Sequence, residues 1–147
     1  MKDKYFTPDI EDVYVGYELE WKCKIRNQDW EKTTCDTDLI SIIYDEYEHA
    51  EVDEPFIEQF RVPYLTMEQI EAEGYNHVGG KLQSAAEQIY EKDYFEIKYT
   101  EYNEKLIIQY KNKCRDNSGN FDGYIIKYDG YCKDINTFRK IIKSLKL

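Results

Sequence analysis

Only two histidines, His49 and His77, are present to serve as a base for nucleophilic catalysis, and a serine or cysteine nucleophile needs such a base beside it. Both read as surface residues. His49 follows Tyr47-Glu48 in an acidic stretch, His77 stands next to Asn76, and Ser118 in Ser-Gly-Asn lacks the strained elbow that exposes a catalytic serine. Zinc held by thiolates would need cysteines at short spacing. Cys23, Cys35, Cys114 and Cys132 form no C-x-x-C pair. Gly79-Gly80-Lys81 lacks the further glycine and the Ser or Thr that a phosphate loop requires, and a hairpin turn or bulge is the better reading. No cofactor and no metal is expected from these patterns.

Carboxylates are the remaining chemistry, and with 30 of them chance pairs are guaranteed. A glycosidase-type acid pair is defined by a separation of roughly 5 to 9 Å in space, which spacing in sequence does not give. The most suggestive acids are Asp9 and Glu11, which fall on one face if their segment is extended. The plainer reading has Asp9 and Asp12 capping turns around Pro8. A second group is Glu46, Glu48, Glu51, Asp53 and Glu54, where a helix face merges into a loop. Together Asp9, Glu11 and these five form the expected partner surface.

Charge supports that choice. Residues 1–75 hold 20 acids and 7 bases, a net of −13, whereas residues 76–147 hold 10 acids and 13 bases, a net of +3. An acidic half repels phosphate backbones, so duplex nucleic acid is not an expected partner. The basic end, Arg139-Lys140 with Lys143 and Lys146, suits the C-terminus of a helix without any ligand.

Alternation dominates the elements that must position these groups. From Val13 to Ile25 every odd residue is apolar and most even ones are charged, the pattern of a strand with one buried face, and Gly16 marks the expected kink or bulge. After the Asn27-Gln28-Asp29 turn, Trp30 to Cys35 reads as a returning strand. Asp36 to Asp38 offers a helix cap ahead of Leu39, Ile40, Ile43, Tyr44 and Tyr47, an apolar stripe at helical spacing. Thr66 and Gln69 make a capping box for a short helix that Gly74 closes, with Pro63 holding the lead-in extended.

The segment after Gly80, through Tyr90, is open to a strand or to a short helix begun at Ser84, and strand is the preferred reading. Phe95, Ile97 and Tyr99 alternate into a hairpin with Leu106 to Tyr110, and Tyr124 to Cys132 forms the last strand. Asp134 then caps a closing helix with Ile135, Phe138, Ile141, Ile142 and Leu145 on one side. The expected fold is α+β: one antiparallel, strongly bent sheet of five to seven strands, two short inserted helices and a C-terminal helix.

A chain of 147 residues reads as a single domain, able to bury ~70% of its unfolded surface. No apolar run approaches the ~18 residues of a membrane span, and the start carries no apolar signal segment. The expected compartment is therefore the cytoplasm, with the cysteines as reduced, core-packing thiols. Tyrosine is in excess, at 15 residues. Tyr14, Tyr102, Tyr124, Tyr128 and Tyr131 are open either to exposure on a contact surface or to covering strand faces.

Three blocks carry a resemblance: Tyr-Phe-Thr-Pro-Asp-Ile-Glu-Asp-x-x-Val-Gly-Tyr-Glu at 5–18, Arg-Val-Pro-Tyr-Leu-Thr-x-x-x-Ile-x-x-x-Gly-Tyr at 61–75, and Gly-Tyr-Cys-Lys-Asp-Ile-Asn-x-Phe at 130–138. Together they resemble a family of small accessory proteins of tailed phages (crAss-like and related) of gut bacteria, although that family often has tryptophan where Tyr75 stands. The resemblance implies a protein made in the host cytoplasm during infection, with no catalytic residue or ligand to carry across. The leading expectation is a non-enzymatic protein that binds a host protein through its acidic surface, for example by occupying the basic groove of a defence or nucleic-acid-handling enzyme. The rivals are an oligomeric binder that sequesters a nucleotide signal on tyrosines and lysines, and an acid-pair hydrolase.

Overall fold

The computed structural model describes residues 4–23, 29–49, 58–80, 87–111 and 123–147. The chain divides into two compact units, Met1–Tyr64 and Leu65–Leu147. Each has a core of its own. Among the described residues the architecture is α+β with three α-helices and antiparallel strands, but these strands build two sheets, of four and five strands, in place of the single bent sheet expected. The division falls just beyond Pro63, the last residue of a strand of the first unit, where the chain leaves one sheet and runs into the capped helix of the other.

In the first unit, β1 (Tyr5–Phe6), β2 (Glu18–Cys23), β3 (Glu31–Thr34) and β4 (Glu58–Pro63) lie in the order β1-β4-β2-β3. The helix α1 (Thr37–His49) contributes to the same core, in which Val13, Tyr17, Leu19, Cys35, Ile43, Phe60 and Val62 are buried. The opening strand is shorter than its alternation suggested. Tyr14 to Tyr17 is a turn closed by the Tyr17 amide donating to the Tyr14 carbonyl at 2.9 Å, and its third residue, Gly16, has a φ of +98°. Only glycine adopts that conformation at no steric cost. Val15 is thereby swung out, 66% exposed, while Val13, Tyr17 and Leu19 keep the inward positions. Cys23 lies in β2 by its backbone; its side chain and Ile25 fall outside the described residues.

The helix α1 starts where expected, with the Leu39 amide donating to Asp36 Oδ1 at 2.8 Å. Ile43 is fully buried, and Leu39, Ile40 and Tyr47 pack against the core, but Tyr44 is exposed. It is therefore not part of the stripe.

On the face of the sheet away from this core, alternation along β4 puts Arg61 opposite to buried Phe60 and Val62. Its guanidinium lies 3.7 Å from the Tyr5 ring centroid and 4.0 Å from that of Trp30. Its Nε and Nη2 both donate to Glu20 Oε1, at 3.1 and 2.8 Å. Glu20 is Arg61's register partner on β2. One side chain thus links β1, β4, β2 and the residue leading into β3.

The second unit is a five-stranded meander, β5 (Asn76–Gly80), β6 (Glu87–Lys92), β7 (Phe95–Thr100), β8 (Lys105–Lys111) and β9 (Tyr124–Tyr131), each paired with the next. Gly79-Gly80 is a strand end, with a bulge between His77 and Gly79 in place of a hairpin turn. The helices α2 (Met67–Ala72) and α3 (Ile135–Ser144) supply Ile70, Ile135, Phe138 and Ile141 to a core shared with Tyr90, Ile97, Tyr99, Leu106 and Ile108. Both caps form as read. Thr66 and Gln69 close a capping box, Asp134 accepts from the Thr137 amide at 3.3 Å, and Gly74 takes a φ of +93° just past α2. Cys35 and Cys132 are buried free thiols, and Cys114 lies outside the described residues.

Tyr90 is fully buried, and among the described residues its hydroxyl has no hydrogen-bond partner. A buried unsatisfied hydroxyl costs about 1–3 kcal/mol. Burial first, then the charges of Glu71, Glu68 and Glu101, push its proton affinity from the ordinary 10.0 up to about 12. Because the folded value is raised, this group's contribution to stability is complete below pH 10 and is lost as pH climbs toward 12. Tyr90→Phe is therefore expected to raise the midpoint of thermal unfolding, measured by calorimetry at pH 7. Its advantage over wild type should widen above pH 10, and a lowered midpoint at pH 7 would show that the hydroxyl is satisfied.

Candidate functional site

The acids singled out from the sequence fall on the first unit. Glu46 and Glu48 lie near the C-terminus of α1, half-buried and exposed respectively, with Asp45 exposed beside them. Glu51, Asp53 and Glu54 lie outside the described residues. Asp9 and Glu11 are exposed, but their segment is not extended: Ile10–Asp12 forms one 3-10 turn, closed by the Asp12 amide on the Asp9 carbonyl at 3.0 Å. The alternation that would have set Asp9 and Glu11 side by side is therefore absent. Asp9 stands at the cap position, with no capping bond from its side chain.

A tyrosine joins the two acidic segments. The Tyr47 hydroxyl of α1 donates to the Pro8 carbonyl, 39 residues away in sequence. This holds the turn of Asp9, Glu11 and Asp12 against the helix half that bears Asp45, Glu46 and Glu48. Burial, and after it the charge of Asp9, raises the proton affinity of that hydroxyl, which stays a donor. Sequence reasoning placed Tyr47 in the apolar stripe and missed this second role. No local pattern marks it.

The electrostatics of α1 run against its own stability. A helix C-terminus carries the negative end of the dipole and favours Lys or Arg. From Thr37 to His49 there is neither, and three of the four acids sit in the last two turns. Exposed on the same helix are Ile42 and Tyr44, 44% and 47% accessible. The wider field has the same sign. The first unit holds 17 acids against 7 bases and the second 13 of each, so the whole net charge of −10 belongs to the first unit.

The second unit holds the tyrosines and lysines that a nucleotide binder would use. Tyr102, Tyr124 and Tyr131 are exposed, whereas Tyr14 in the first unit and Tyr128 in the second pack against their cores. Lys98, Lys105 and Lys111, on the sheet face away from α2 and α3, each lie beside acids. Lys105 pairs with Asp129, and Lys111 pairs with Glu91 and lies 3.9 Å from Glu96 Oε2. Lys98 is 3.9 Å from Glu96 Oε1. Glu91 and Glu96 are direct register partners on β6 and β7, and Glu96 is buried, also accepting from Gln109 Nε2 at 2.6 Å.

Lys111 thus separates two like charges that the register forces together. The Glu91 hydrogen bond, followed by the charges of Glu91 and Glu96, raises the lysine's proton affinity. The near-buried Glu96 is invisible to the alternation rule, which assigns it to a solvent face.

Of the histidines, His77 is exposed, its Nε2 2.7 Å from Gln88 Oε1 and its ring 5.3 Å from that of Tyr90. Among the described residues no group of three or more His, Cys, Asp or Glu is arranged to hold a metal ion, and no helix is long and apolar enough to cross a membrane. Comparison with protein-family models, with curated proteins and with solved structures finds no match.

Lys111→Met leaves Glu91 and Glu96 opposed with no cation between them. With the lysine side chain a third exposed, solvent screens part of the loss. The expected cost is about 1 kcal/mol in urea unfolding at pH 7, largely recovered by adding Glu91→Gln. The raised folded value means that the lysine's contribution is complete below the ordinary 10.5 and disappears as pH rises past it. An unchanged single variant, or one that Glu91→Gln makes worse, would remove Lys111 from this role.

Proposed function

We propose that the protein is a non-enzymatic accessory protein that binds a basic surface of a host protein through the acidic face formed by α1 and the Asp9–Asp12 turn. The observation that supports it is the placing of Asp45, Glu46 and Glu48 at the C-terminal end of a helix without Lys or Arg, held beside Asp9, Glu11 and Asp12 by the Tyr47–Pro8 bond. This arrangement costs the helix stability. A basic partner would repay that cost, because complementary fields accelerate encounter and fix its orientation. Ile42 and Tyr44 add exposed apolar surface of the kind that interface centres bury. The host comes from the resemblance to phage accessory proteins, and a nucleic-acid-handling enzyme is the partner whose groove has the required charge.

The test is capture from host lysate with the tagged protein, then reconstitution with the purified partner. Raising salt from about 0.1 M to about 1 M shortens the Debye length from about 10 Å to about 3 Å and should release the partner. The combined variant Asp9→Asn, Glu11→Gln, Asp45→Asn, Glu46→Gln and Glu48→Gln should lose it at low salt while keeping its helical circular dichroism. Duplex DNA should compete for the same site on the partner. A partner held equally by the variant and at high salt would overturn the proposal.

A further inference from the structure

We draw no further inference here: the strongest candidate, the exposed edge and outer face of β9 with Tyr124, Ile126 and Tyr131, bears an exposed Lys127 at a bulge in its middle, and nothing in the structure shows what covers it.

Discussion

The stacking of Arg61 between Tyr5 and Trp30, with Glu20 taking two of its N–H groups, is the interaction on which the first unit depends. A four-stranded sheet whose first strand is two residues long has little ladder to hold that strand in place. The guanidinium supplies what hydrogen bonding does not, because a planar cation can lie between two rings and still donate in its own plane to a carboxylate. A lysine could do neither with the same geometry. With Arg61 and Glu20 about three-quarters or more shielded, solvent screens the pair less than an exposed one, and removing either partner leaves the other charge uncompensated.

That arrangement also bears on how charge is distributed. It neutralises one of the unit's seven bases internally, and it does so on the sheet face away from the core. On the other side the sheet offers Leu19, Phe60 and Val62 to α1, whose Tyr47 then reaches the Pro8 carbonyl. The acidic surface is thus a product of tertiary packing. Its two halves, one in a 3-10 turn and one at a helix end, meet only because β1, β2 and β4 are in register.

Local signals are legible in this sequence. The Thr66–Gln69 capping box, the Asp134 and Asp36 caps, and the β7–β8 hairpin each depend on residues within a few positions of one another, where side-chain chemistry acts directly on the backbone. The failures share a different cause. Thirteen alternating residues looked like one strand, but a glycine able to take positive φ let the chain turn at Tyr14–Tyr17 and expose Val15. Arg61, Glu20, Tyr5 and Trp30 are scattered over 57 positions, and nothing at any one of them announces the others. Glu96 and Gln109 follow the solvent-face pattern, yet both are buried by cross-strand neighbours. Of the seven acids of the expected partner surface, Asp9, Glu11, Glu46 and Glu48 lie within the described residues, and no local pattern marks the contact that joins their segments.

The most direct measurement is a double-mutant cycle of Arg61→Ala and Glu20→Ala, unfolded in urea and followed by tryptophan emission, since both tryptophans, Trp21 and Trp30, belong to the first unit. If the stack and its carboxylate act together, the two losses overlap and the cycle returns a coupling of about 1–3 kcal/mol, with Arg61→Lys recovering little of it. Losses that add within about 0.5 kcal/mol, or an Arg61→Lys variant as stable as wild type, would contradict the account.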